Sequence, residues 1–243
     1  KIKSVGDLIQ SLADQTDLNV PVWFRGHACA SWKLTPSLSR KKRTQNAESA
    51  LIKRFKQNAT PHLADRPRTE WEWMFLMQHY RLPTRLLDWT ESPLTALYFA
   101  TSDTKHKSHD AALWCLDPVA LNAFANISFS STVEIPAFDH DKVLDSYLPS
   151  HIAGETTSLL NPIAGIAVRN SPRIAAQLGT FTITHREHTP IEDIGDKEHT
   201  WRLVIPSDSK RKILAELAQL RVSKLTLFPE LDSVAADAME IAQ

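Results

Sequence analysis

The sequence predicts an α+β fold, with mixed small sheets flanked by helices. Short runs rich in β-branched and aromatic residues recur at residues 21–26, 180–185 and 200–205, and a continuous apolar run lies at 111–116. Longer stretches carry apolar residues at helical spacing, as at 4–14 and 207–220. The two kinds follow one another without regular strand–helix–strand alternation, which argues against a parallel α/β sheet. No internal repeat appears, and the chain reads as one domain over residues 1–243.

The elements follow in order. Val5, Leu8, Ile9 and Leu12 share one helical face, and Ser4 is placed to cap that helix. Residues 21–26 form a strand ended by Gly26, and 32–38 an extended or turn segment. A helix over 47–58 carries Leu51, Ile52 and Phe55, and a proline-containing connection covers 61–68. Thr69 opens the next helix, with Glu70 and Glu72 near its positive end, and it stops near Tyr80, ahead of Pro83. Residues 82–89 read as a loop or short strand. Ser92 caps a helix whose first residue is Pro93, an arrangement suited to a helix start. A strand covers 111–116. Residues 122–162 are irregular, with a helix over 141–148. A small-residue strand lies at 163–167, and a helix over 172–178 is stopped by Gly179 as a C′ glycine. Strands at 180–185 and 200–205, an amphipathic helix at 207–220, a strand at 225–227 and a closing helix at 231–242 complete the chain.

Composition narrows the function. The chain has 243 residues, no net formal charge and 23% charged residues, so bulk charge gives no footprint for nucleic acid. The basic run over residues 40–43 reads as a solvated loop. No stretch approaches the roughly 18 apolar residues of a membrane span, and the N-terminus has no apolar signal core. Cys29 and Cys115 lie far apart and match no metal spacing; they read as reduced thiols of a cytoplasmic protein. Lys1 is not Met, which reads as an excised domain or a processed chain.

Several residues carry candidate chemistry. Arg25 follows two bulky aromatics and precedes a glycine: it could fork onto a phosphate or carboxylate, or pair internally with Asp88. Gly26 would let a ligand or another backbone approach. His79, Arg85 and Asp88 fall within ten residues of each other. Arg85 could hold a pyrophosphate oriented by Asp88, or the set could be a buried network that fixes a loop. Trp89, Tyr98 and Phe99 could stack a base, or fill core. Thr84 and Thr90 could donate to a ligand, or bond within turns. Gln177 could hold a ribose hydroxyl, or face solvent at a helix end. Glu230 and Asp232 suit capping of the last helix. Neither His185-Arg186-Glu187-His188 nor the pair His106 and His109 has the spacing of a zinc site, so no metal is expected.

Three blocks carry a resemblance: Trp23-Phe24-Arg25-Gly26-His27; the run from Gln78 to Ala100, including Pro83-Thr84-Arg85-Leu86-Leu87-Asp88-Trp89-Thr90; and Arg173 to Phe181. Leu227-Phe228-Pro229-Glu230 follows near the end. Together these resemble the FRG domain family, which takes its name from a Phe-Arg-Gly triplet, here Phe24-Arg25-Gly26. The first strand is also similar to the opening motif of the ADP-ribosyltransferase superfamily, whose arginine (or a histidine in its place) binds NAD+. Asp88-Trp89-Thr90 followed by Ala96-Leu97-Tyr98-Phe99-Ala100 resembles that superfamily's second motif. Its third motif presents a glutamate where this chain has Gln177 ahead of Gly179-Thr180-Phe181.

That resemblance implies a split β core and NAD as substrate. It also implies a catalytic group of Arg25 with Asp88 or Gln177, and a pocket drawn from Arg25, Gly26, His79, Arg85, Thr90, Tyr98 and Phe99. A bacterial toxin or phage-defence effector acting on a protein or nucleic-acid acceptor fits this reading. Two alternatives stand beside it: a sensor module that binds a nucleotide or phosphate without turnover, and a nuclease-like enzyme with His79 and Asp88 as acid and base.

Overall fold

In the computed structural model, residues 1–17, 19–41, 45–127, 135–152, 160–169, 171–187 and 189–241 are described. The chain runs through α1 (Val5–Gln15), β1 (Trp23–His27), α2 (Ser37–Arg40), α3 (Gln45–Ala59), α4 (Glu70–His79), β2 (Leu86–Thr90), α5 (Pro93–Thr101) and β3 (Ala111–Leu116). It continues with α6 (Pro118–Ala123), α7 (Pro149–Ile152), β4 (Ile163–Gly165), α8 (Pro172–Ala176), β5 (Gly179–Ile183) and β6 (Thr200–Ile205). Last come α9 (Lys210–Gln219), α10 (Lys224–Leu227) and α11 (Leu231–Ile241). The class is α+β, as the sequence predicts. The strands join one six-stranded sheet, in the order β4-β5-β2-β1-β3-β6, and every ladder is antiparallel.

Both faces of this sheet are covered, which is why β3 and β5 are buried at every position. Alternate residues of β3 point to opposite sides. Leu113 and Cys115 pack with Val5 and Leu8 of α1, Leu97 of α5 and Ile213 of α9. Ala112, Trp114 and Leu116 pack with Trp23, Trp89 and Leu121 on the other side. A further cluster gathers Trp71, Met74, Phe75 and Met77 of α4 with Phe138, Phe181 and Ile183.

The middle of the sheet decides where a site can form. β1 and β3 share a continuous ladder from Trp23↔Leu116 to His27↔Ala112. β1 and β2 share the single pair Phe24↔Thr90 and then separate. The two strands therefore splay apart toward Gly26 and Asp88, and a slot opens between them.

The helix starts follow their caps. The side chains of Ser4, Thr69 and Ser92 accept from the backbone N–H groups of Asp7, Glu72 and Thr95. Three expectations change, and one open alternative closes. Residues 225–227 belong to α10, because Ser223 and Thr226 form a reciprocal capping box at its start. Of the loop or short strand read at 82–89, the strand is found, as β2; 141–148 holds a 3-10 turn, Lys142–Tyr147. Gly179 opens β5 instead of ending α8; the left-handed residue after α8 is Leu178, with φ 46°. Lys42, Arg43, His188 and Ala242, which figure in the sequence reading, lie outside the described residues.

Candidate functional site

A cleft of about 820 Å³ opens where β1 and β2 part. Its floor comes from both strands, and its walls from α4, α5 and the segment around α8. Arg25, Gly26, His79, Asp88, Thr90, Phe99 and Gln177 all line it. The three sequence blocks thus meet here, because β5, β2 and β1 are consecutive in the sheet.

Arg25 is the best-held group. Its Nη1 donates to the Asp88 carbonyl at 2.5 Å, a main-chain acceptor lying beyond the single β1–β2 pair. Its Nε donates to Nε2 of His27 at 3.0 Å. The Asp88 carboxylate lies 3.7 Å from Nη1, with the Arg25 side chain 17% exposed and that of Asp88 53% exposed. Burial lowers the Arg25 pKa, and Asp88 pulls it back up; an arginine starts so far above neutrality that it stays charged. Asp88 Oδ2 also accepts from Gln78 Nε2 at 3.0 Å, and Gln78 Oε1 accepts from the Thr84 hydroxyl at 2.5 Å. A relay thus runs from Thr84 through Gln78 and Asp88 to Arg25.

The other candidates divide sharply. Gly26 is required by packing: a Cβ there would stand 1.9 Å from the Ala96 carbonyl and 2.6 Å from the Ala100 nitrogen of α5. The close approach is that of a helix backbone. The Thr90 hydroxyl donates to the Gln177 carbonyl at 2.5 Å and accepts from the Ser92 N–H, so it ties β2 to the segment before β5. Gln177 is the C-cap of α8, and its side-chain N–H donates to the Leu227 carbonyl at 2.9 Å. His79 is 3.6 Å from Glu230, and its pKa is lowered by burial and then by the charge of Arg173. His79 and Asp88 share the cleft but bond to different partners.

Arg85 and Tyr98 do not reach the cleft. Arg85 is fully buried, donates to Glu48 through both its backbone N–H and Nε, and gives its remaining nitrogens to the Thr184 and Tyr147 carbonyls. That is the buried network weighed against pyrophosphate binding, with Glu48 as partner where the sequence suggested Asp88. Tyr98 packs against the α1–α5–α9 core. Trp89 is 3% exposed and donates to the Thr182 hydroxyl, which leaves Phe99 as the stacking candidate of the three.

Sequence reasoning missed several lining groups. Trp32 and Tyr80 present aromatic surface to the cleft, at 41% and 58% exposure. Gln78 holds Asp88, and His27 holds Arg25. Arg173 lies over the Phe228 ring at 4.7 Å and 3.9 Å from Glu230. An aromatic on a polar stretch, as at Trp32, and a histidine two residues after Arg25 on one strand face were the signals available. Among the described residues, no group of three or more His, Cys, Asp or Glu is arranged to hold a metal, and no helix is long and apolar enough to cross a membrane. Cys29 and Cys115 are both free and buried.

No curated protein and no solved structure matches the chain. The model of the FRG domain matches residues 20–109, a stretch that includes Arg25, Gly26, His79, Asp88 and Thr90 and ends before β3. With the Phe24-Arg25-Gly26 triplet on β1 and the Asp88 strand beside it, the chain carries an FRG domain over those residues.

Proposed function

We propose that the cleft binds NAD+ and that the chain is an ADP-ribosyltransferase-type enzyme or NAD glycohydrolase. One observation carries this reading. The segments that resemble the superfamily's three motifs lie far apart in sequence, and Arg25, Asp88, Thr90 and Gln177 from them line one cleft. Arg25 takes a phosphate of the dinucleotide, since its charge is held at the slot and Nη2 donates no hydrogen bond among the described residues. Phe99 and Trp32 offer faces for a ring.

The reaction breaks the bond between the nicotinamide nitrogen and the ribose. Electrons leave with nicotinamide, positive charge grows on the ribose, and water or an acceptor hydroxyl supplies the new bond and releases a proton. A carboxylate beside that ribose would contribute the largest electrostatic stabilisation. Asp88 is the cleft carboxylate next to Arg25. The superfamily's glutamate position holds Gln177, whose side-chain N–H donates to the Leu227 carbonyl.

That last contact favours a second reading, a sensor that binds the nucleotide without turnover. Nicotinamide release and NAD+ binding by wild type and Arg25→Ala separate the two. Release that Arg25→Ala abolishes supports the enzyme. Binding that Arg25→Ala weakens at least tenfold, without release, supports the sensor. Folded wild type that neither binds nor cleaves NAD+ overturns both.

A further inference from the structure

Arg25 is oriented in an unusual way for a half-buried arginine. Guanidinium groups are commonly fixed by carboxylates, which offset their charge as they orient them. Here the two close acceptors, the His27 imidazole at 3.0 Å and the Asp88 carbonyl at 2.5 Å, carry no charge. The Asp88 carboxylate stands off at 3.7 Å, more than half exposed.

We propose that His27 is a positioning residue for the cleft: its Nε2 lone pair fixes the Arg25 guanidinium in place without adding a counter-charge to that of the exposed Asp88 carboxylate 3.7 Å away, so that the cation stays available to a phosphate group. The inference rests on the nucleotide reading for its ligand, but the contact itself stands on geometry. His27 and Arg25 lie two residues apart on β1 and so share a face, while Phe24 on the other face packs in the α5 core. His27 is 3% exposed, and Trp32 packs edge-on to its ring at 5.9 Å. An imidazole that accepts at Nε2 carries its proton on Nδ1 and is uncharged. The surroundings hold it so: burial, then the charge of Arg25, push the His27 pKa down to about 3, with Arg40 acting the same way and the Trp32 backbone opposing. An acid at this position would satisfy the same N–H and cancel the charge.

The first test needs no ligand. Nitrogen-15 NMR of the wild-type side chains should show His27 as the Nδ1–H tautomer, with an unprotonated Nε2 that does not titrate between pH 8 and 5. An Nε2–H tautomer, or a midpoint near the ordinary imidazole value of about 6.5, overturns the proposal. The second test uses NAD+ and inorganic pyrophosphate as probes in calorimetry. His27→Gln keeps an acceptor and should bind within about threefold of wild type, whereas His27→Phe should bind about tenfold more weakly. Equal binding by wild type and by a folded His27→Phe overturns the proposal. Failure of wild type to bind either probe sinks the nucleotide reading alone, because the NMR result still decides the positioning role.

Discussion

Arg85 donates to Glu48 at 2.5 Å with both side chains fully buried, while Arg25, only 60 positions earlier, faces an open cleft. In sequence the two look alike: each sits beside bulky apolar residues. The difference is made by Glu48 of α3 and by the carbonyls of Thr184 and Tyr147, partners that no local spacing announces. Removing one member of a buried pair strands the other in low dielectric. Arg85→Ala should therefore lose about 3–5 kcal/mol in urea unfolding, by the usual cost of breaking such a pair. Arg85→Ala with unchanged stability would mean that Glu48 is not held as an ion. Arg25 was legible as a functional residue from its place after two aromatics and before glycine, but its holders His27 and the Asp88 carbonyl were not.

Gly26 shows the same division for a whole element. The triplet identified the strand, which runs on past Gly26 to His27, and Ser92-Pro93 fixed where α5 begins. Neither revealed that α5 would lie directly against β1. A methyl group at position 26 would meet two backbone atoms of α5 within van der Waals radii, and a helix backbone cannot step aside as a side chain can. Gly26→Ala should thus shift α5 and lower the melting temperature by about 2–12 °C, from an overpacking penalty of roughly 1–3 kcal/mol at about 2–4 °C per kcal/mol for a chain of this size. A melting temperature equal to wild type would show that the helix can retreat freely. Capped elements such as α1, α4 and α5 were readable because each carries its own start signal. The three-residue run at 225–227 misled because it is too short for a period, and the Ser223–Thr226 capping box wins over its β propensity.

Across the whole molecule, two buried histidines set the response to acid. His27 is held to about 3 by burial and then Arg25, and His185 to about 4 by burial and then Arg85. Unfolding frees both to the ordinary value of about 6.5. Well above the ordinary value of about 6.5 both states are neutral and the shifts have no effect. Below about 6.5 the unfolded chain binds protons that the native chain refuses, so stability falls as pH drops toward 4, by up to about 1.4 kcal/mol per pH unit for each histidine. Asp7, Asp103 and Asp141 are all held below the usual carboxylate range and add their loss only at lower pH. Urea midpoints should therefore fall between pH 7 and pH 5, and the double variant His27→Gln, His185→Gln should show a flatter dependence. Equal slopes for variant and wild type would refute this.

The sequence by itself determined the α+β class, the positions of the capped helices, the strand carrying Phe24-Arg25-Gly26 and the family to which residues 20–109 point. Those features are local: a cap, a period or a motif is complete within a dozen residues. Only the tertiary structure decided that the strands form one sheet, that β1 and β2 part after a single pair, and that Arg85 and Tyr98 turn inward while Trp32, Tyr80 and Arg173 face the cleft. Such outcomes depend on partners tens of residues distant, where burial and strand order set the chemistry of each side chain.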